Sequence, residues 1–409
     1  MRVVISGMGV ISALGLDQQG FWHALVNGKS GIGPIPNDVG PVAEMGMTQV
    51  RFKNGAAVTG YDAETYFPRK TLSFMDRFAQ FSVIAAREAV TMAGIEWTEE
   101  LRDSAAVITG SCMGGRFTDE VGYWELFHHG RHRVHPLTIP LGMSNAGASH
   151  ISMEYGIHGP AYTFSTACSS SAHAIGNALW MVRSGAAPLA IAGGSESPLF
   201  LGGLKAWEAM RVVSPDTCRP FSANRSGMIL GEGAAMLVLE PLERALARGA
   251  KPLAEIVGFG MSADACHVTQ PSAEGAARAI RSALRDGGLA PEQVGYINAH
   301  GTATEANDRM EAAAIHNVFG CHASALPVSS TKSMHGHTLG AAGAIEAAAT
   351  VLALRKGMLP PTANFTQPDP ECELDVIPNH AREAKVEVAL SQSFAFGGLN
   401  AVLAFRAMP

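Results

Sequence analysis

Charge is scarce in this 409-residue chain. Asp, Glu, Lys and Arg together supply 16% of it and aromatic residues only 7%. Apolar residues reach 47%, the reverse of the balance that keeps a chain disordered. There is no basic excess either. Thirty Lys and Arg stand against 36 Asp and Glu, a net charge of −6, which argues against a nucleic-acid-binding surface. No apolar stretch approaches the roughly 18 residues needed to span a bilayer. The opening Met1-Arg2-Val3-Val4-Ile5-Ser6-Gly7 lacks the long apolar region and cleavage site of a signal peptide, and reads as a strand entering a glycine turn. The six cysteines, at 112, 168, 218, 266, 321 and 372, form no CxxC pair and no secreted-framework spacing. They are expected to be reduced thiols in a cytoplasmic protein. The 45 glycines and 22 prolines follow no G-X-Y period, so a collagen-like chain is excluded. What remains is apolar material sufficient for two or three domains or one large fused unit.

The chain resembles itself. Phe81 to Ser111 reads as a helix, then Ala93-Gly94-Ile95, an acidic stretch and the strand Ala105-Ala106-Val107-Ile108-Thr109. Gly275 to Gly301 repeats that grammar: a helix, Gly287-Gly288-Leu289, and the strand Val294-Gly295-Tyr296-Ile297-Asn298. The opening Val3–Gly9 is matched by Glu255–Gly260, and the Ala/Gly-rich helix Ser169–Ser184 by Thr338–Lys356. Three matched elements in one order point to two copies of a βα unit, residues 1–252 and 253–409. Continuous apolar strands alternating with helices imply sheets covered on both faces. Small residues all round a helix imply close packing on every side.

Four segments could carry chemistry. Ser165-Thr166-Ala167-Cys168-Ser169-Ser170-Ser171 places Cys168 at the start of the first Ala-rich helix. Helix N–H groups and the macrodipole there would lower a thiol pKa and make a nucleophile, although most cysteines are small buried hydrophobes. Asn298-Ala299-His300-Gly301-Thr302-Ala303-Thr304 puts His300 at a strand's C-terminal end, where α/β folds gather ligands. Ser330-Thr331-Lys332-Ser333-Met334-His335-Gly336-His337 stands before the second Ala-rich helix, opposite Cys168 if the halves are duplicates. Ser393-Phe394-Ala395-Phe396-Gly397-Gly398 is a glycine turn between two C-terminal strands, and its N–H groups could face an oxyanion.

Together these segments resemble the β-ketoacyl-acyl carrier protein synthases of the thiolase superfamily, over essentially the whole chain. The resemblance extends to Gly7-Met8-Gly9-Val10, Arg219-Pro220-Phe221 and Gly231-Glu232-Gly233. The order Cys, His, His is that of the elongating type I/II enzymes; Cys-His-Asn would indicate an initiating synthase and Cys-His-Cys a thiolase. The resemblance implies the thiolase-like duplicated five-layer αβαβα fold, with Cys168 in the first half and both histidines in the second. It implies an acyltransferase that takes an acyl chain onto Cys168 and condenses it with malonyl-acyl carrier protein after decarboxylation. His300 and His337 would hold the malonyl thioester carbonyl, Lys332 and Glu346 would order the histidines, and the N–H groups of Cys168 and Phe396 would form the oxyanion hole. Phe396 would also gate Cys168. Thr302, Thr304 and Phe394 would meet the substrate arm, and Met113 would limit the acyl chain. Arg69, Lys70, Lys205 and Arg211 would dock the carrier protein.

The resemblance implies no enzyme-bound cofactor and no metal; substrates ride on the phosphopantetheine of acyl carrier protein. The enzyme would be a homodimer, or a heterodimer with a related ketosynthase-like subunit, with its two-fold axis near Tyr162-Thr163-Phe164-Ser165. Ser171, Ala395, and Ser222 and Ser226 around Arg225 depart from common family residues, which leaves the pathway open: fatty acid, polyketide, polyene or nodulation-type lipid. The histidines at 128, 129, 132 and 135 have some metal-ligand spacing, but Arg131 and Arg133 among them would repel a cation. Family spacing selects His337 over His335. The alternatives are a ketosynthase subunit working with a chain-length-factor partner and, less favoured, a thiolase.

Overall fold

The computed structural model describes residues 1–36 and 50–408. Strand β1 (Val3–Ser12) is buried at all ten positions, as a strand covered on both faces must be. It belongs to an array with β2 (Ala106–Gly110), β3 (Ala161–Phe164), β4 (Ala190–Glu196) and β5 (Gly233–Pro241), in the order β3-β2-β4-β5-β1. A second array contains β6 (Ala254–Ala263), β7 (Val294–Asn298), β8 (Pro327–Ser329), β9 (Val388–Ala395) and β10 (Leu399–Ala407), in the order β8-β7-β9-β10-β6. Each β strand of the first array thus has its counterpart five numbers later. Orientations match as well: the innermost three strands of each array are antiparallel and the outer pairs parallel. Antiparallel pairing of Val3–Ile5 with Ala254–Ile256 joins the arrays into one sheet.

Helix α1 (Arg77–Ala93) covers β1 and β5; α2 (Ser170–Arg183) lies against β2 and β4; α3 (Ala273–Asp286) covers β6 and β10. Helix α4 (Glu305–Phe319) packs on α3, and α5 (Ala342–Lys356) lies against β9 and β5 and against α2. The layers therefore run helix, sheet, the α2–α5 pair, sheet, helix. This is the expected thiolase-like five-layer arrangement, and the three repeats read from the sequence occupy matching places in it.

The central pair explains the Ala/Gly composition. Every residue of α5 from Ala342 to Leu354 is buried. A Cβ on Gly343 would meet the Cβ and backbone nitrogen of Ala172 at 2.8 and 2.9 Å, so only glycine lets the helices approach this closely. Helix starts leave orphan N–H groups. Here Ser171 of α2 accepts the N–H of Ala344 at 2.9 Å, so one central helix caps the other. The helix begins at Ala342 and not at Thr338, because Leu339 turns into the left-handed region at φ 46°. Among the described residues no helix is long and apolar enough to cross a membrane.

Candidate active site

The strand order brings several chain segments to one end of the sheet. Cys168 follows β3, His300 follows β7, Lys332 follows β8, and Phe396 sits in the β9–β10 turn. Ala167, just before the cysteine, is held at φ 51°, a conformation that costs a β-carbon residue roughly 1–2 kcal/mol. It is held by its surroundings: Ser170 Oγ accepts the Thr166 N–H at 2.9 Å and donates to the Ala167 carbonyl at 2.6 Å.

Cys168, His300, His337, Thr302, Thr304 and Phe394 line one cavity. Phe396 borders it, is 37% exposed, and stacks on Trp207 with centroids 6.2 Å apart. The two imidazoles meet edge to face, centroids 5.3 Å apart at 85°. Residues from both halves fix them. The backbone N–H of His337 donates to the Ile229 carbonyl, and Gly231 donates to the His337 carbonyl at 3.0 Å. The N–H groups of His300 and Gly301 each donate to Glu311, at 2.7 Å.

Burial pushes both imidazoles well below their ordinary pKa, and the Lys332 cation and the neighbouring histidine push the same way. Both are neutral. Lys332 Nζ ion-pairs with Glu346 and lies 3.2 Å from His300 Nδ1. An ammonium only donates, so Nδ1 accepts and the imidazole proton resides on Nε2. Burial raises the Glu346 carboxyl to about 7 against the pull of Lys332.

The expectation that helix geometry would lower the Cys168 thiol is overturned. Burial pushes it up to about 12; Lys332 and the Phe396 N–H, which is aimed at its sulfur, only partly offset this. Cys168 precedes the N-cap Ser169 of α2, outside the first helical turn, and there burial is the largest influence on the thiol. The resting group is a thiol, with the Phe396 amide poised beside it.

His335 is separate from the cavity. It is fully buried, with Nε2 3.0 Å from Thr331 Oγ1 and Nδ1 2.8 Å from the Gly336 carbonyl. His128 stacks on Trp124 at 4.0 Å instead of facing a ligand. Met113 does not line the cavity; it packs on the apolar cluster that contains Cys168, Leu199 and Leu339. The four suggested docking cations divide. Lys205 and Arg211 belong to the helix Leu201–Met210 and its cap, which also carries Trp207 at the cavity, and Lys205 pairs with Glu208 at 2.6 Å. Arg69 and Lys70 lie on a separate short helix, where Arg69 pairs with Glu64 at 2.9 Å and Lys70 borders a different groove. Arg225 finds its carboxylates elsewhere in the chain, at Asp369 and at Asp308, 3.7 Å away.

The buried carboxylates that were not singled out from the sequence include Glu196, Asp308 and Glu311. Burial raises Asp308 to about 6 and Glu311 to about 7. Asp308 accepts the N–H groups of Phe221 and Ala303 at 2.8 and 3.2 Å. Glu196 stands alone among glycines and serines, the same anomaly that drew attention to Glu346, whereas Asp308 and Glu311 lie in a charged stretch with Glu305 and Arg309 and carry no such signal.

Residues 1–245 match the family model for the β-ketoacyl synthase N-terminal domain and residues 253–366 that for its C-terminal domain. The chain is 47% identical over 406 residues to nodulation protein E of Rhizobium sp. (strain N33), covering 99% of both chains. It is 42% identical over 413 residues to 3-oxoacyl-[acyl-carrier-protein] synthase 2 of Synechocystis sp., covering 99% of this chain and 98% of that one. Among solved structures, the ishigamide ketosynthase/chain length factor superposes with a TM-score of 0.94 at 37% identity, over 100% of this chain and 99% of the other.

Proposed function

The chain belongs to the β-ketoacyl synthase family, and from that premise we propose that Cys168, His300 and His337 perform a decarboxylative Claisen condensation on acyl-carrier-protein thioesters. The observation that carries this reading is the single cavity shared by one thiol and two neutral imidazoles. An acyl chain transfers from its carrier thioester to the Cys168 sulfur, and the thiol proton leaves with the pantetheine thiol. Malonyl thioester then binds with its carbonyl oxygen toward the two imidazoles. Loss of CO2 leaves an enolate, whose oxygen neutral imidazole N–H groups can stabilise without a metal. The enolate carbon attacks the acyl-Cys168 carbonyl, the C–S bond breaks with Cys168 leaving as thiolate, and a proton taken up from solvent restores the thiol. The N–H groups of Cys168 and Phe396 stabilise the tetrahedral oxyanion, a contribution on the order of 3 kcal/mol for each such donor.

Lys332 and Glu346 act on His300: the ammonium keeps it neutral and fixes its tautomer. Thr302 and Thr304, whose hydroxyls lie 2.9 Å apart, meet the phosphopantetheine arm, Phe394 packs beside it, and Phe396 gates the thiol. Met113 limits the acyl chain through the apolar cluster it shares with Cys168. No enzyme-bound cofactor or metal is required. The functional halves are residues 1–252 and 253–409, and the cytoplasm suits six unpaired thiols and carrier-borne substrates.

The acidic carrier protein docks on cations near the cavity mouth. β3 is an edge strand with Tyr162 38% exposed, and it is the surface we assign to a dimer. The partner is an identical chain or, in the second reading, a chain-length-factor subunit like that of the ishigamide ketosynthase/chain length factor. Incubation with acyl-carrier protein followed by peptide mass spectrometry tests the central claim. An acyl adduct on Cys168 and a 3-oxoacyl product are expected; acylation elsewhere would refute it. Sedimentation alone and with a co-expressed neighbour subunit separates the two partner readings.

A further inference from the structure

Glu196 ends β4 and is fully buried. Among the described residues no cation pairs with it; its oxygens instead collect five donors from two distant segments. Oε1 accepts Ser111 Oγ at 3.0 Å and the N–H groups of Met113 and Gly114 at 3.1 and 3.2 Å. Oε2 accepts the N–H of Cys112 at 2.8 Å and that of Gly340 at 3.0 Å. Ser111 in turn accepts the Gly114 N–H at 3.2 Å. The first segment is the loop after β2 that carries Met113. The second is the turn between His337 and α5. A Cβ on Gly340 would collide with Glu196 Oε2 and the Cys112 nitrogen, so this junction has no slack.

From this geometry we infer that Glu196 is a positioning residue that locks the acyl-side loop 111–114 to the turn following His337, so that chain-length selection and decarboxylation geometry depend on one carboxylate. The inference rests on the roles given to Met113 and His337 under Proposed function. Its physical basis is the number of donors aimed at one group. Hydrogen bonds to a charged acceptor are worth about twice neutral ones, and backbone amides left without it would have to move. A glutamine here keeps the shape but turns one end into a donor facing donors, which pushes the loop and the turn apart.

The test compares wild type, Glu196→Gln, Ser111→Ala and the control Glu240→Gln. Glu240 is a buried carboxylate on β5 held by Arg248 at 2.5 Å, and it does not line the cavity. The first readout is the ratio of kcat/KM for a long to a short acyl-carrier primer, which loss of folded protein leaves unchanged. The second is malonyl-carrier decarboxylation. Glu196→Gln is expected to raise the ratio about tenfold and to lower decarboxylation by a similar factor, and Ser111→Ala to raise the ratio about threefold. Glu240→Gln should lower the thermal midpoint and leave the ratio alone. If Glu196→Gln does not fold, Ser111→Ala decides. An unchanged ratio in Ser111→Ala, or in a folded Glu196→Gln, overturns the inference. A wild-type enzyme that forms no 3-oxoacyl product overturns the functional reading, and the inference with it.

Discussion

Lys332 Nζ lies 3.2 Å from His300 Nδ1, a fully buried cation against a buried imidazole. The contact runs opposite to the usual carboxylate–histidine pairing. A carboxylate would favour imidazolium; an ammonium forbids it. Glu346 makes the arrangement tolerable by pairing with the cation, since an unpaired buried charge would cost several kcal/mol. The product is a neutral donor beside a second neutral imidazole.

The division of labour between thiol and imidazoles gives the first prediction. Cys168→Ala should abolish elongation yet retain malonyl decarboxylation, because both histidines survive. His337→Ala should lower decarboxylation about 100-fold, in the range of general catalytic groups, while acyl transfer to Cys168 persists. Radiolabelled CO2 release and acyl-enzyme mass spectrometry separate the two. Parallel loss of both activities in either variant would contradict the split.

His335 should matter to stability, not chemistry. Burial and the Lys332 charge lower its pKa to about 3, against an unfolded value near 6.5. A depressed histidine contributes stability that is present above the unfolded pKa and lost as pH falls from about 6.5 toward 3. Glu311 and Glu346, raised to about 7, act in the opposite sense, their stabilisation being lost as pH rises to about 7. The informative quantity is therefore the difference between wild type and His335→Gln in urea unfolding. The variant should lose less stability on acidification across that window, by roughly a few kcal/mol, with its condensation rate per folded molecule retained. An inactive, fully folded His335→Gln would reverse the assignment of the two histidines.

Met113 packs with Cys168 and Leu339 in one apolar cluster. Met113→Phe should block longer primers while short ones still react, and Met113→Ala should extend the accepted length. Each methylene is worth about 1 kcal/mol in an apolar pocket, so the change should be graded across a primer series. A uniform fall at all lengths would make Met113 a packing residue.

Carrier docking should be read at the helix that carries Trp207. Reversing Arg211 and Lys205 to Glu should raise the KM for acyl carrier protein about tenfold at low salt and flatten its salt dependence, as steering charges do. Reversing Arg69 and Lys70, which share a separate short helix, should have the smaller effect. Equal effects from both pairs would spread the docking surface over both helices.

Much of this protein was written in one dimension. Strands buried on both faces must be apolar throughout, and helices squeezed between sheets must be small-residued all round, so β1, β7 and the α2–α5 pair were legible with their internal repeat. The reacting residues were legible as well, because Cys168, His300 and His337 stand in short motifs whose neighbours constrain the backbone. Tertiary structure decided what depends on distance and dielectric. The Cys168 thiol is raised because burial outweighs the pull of Lys332 and the Phe396 amide, and no local pattern reports how deeply a side chain is buried. Lys70 and Lys205 look alike in sequence yet border different grooves, since surface charges carry no long-range pattern. Glu196 and Asp308 hold segments that are far apart along the chain. A carboxylate's partners here are backbone amides, which every residue but proline possesses, so only the fold could say which amides those are.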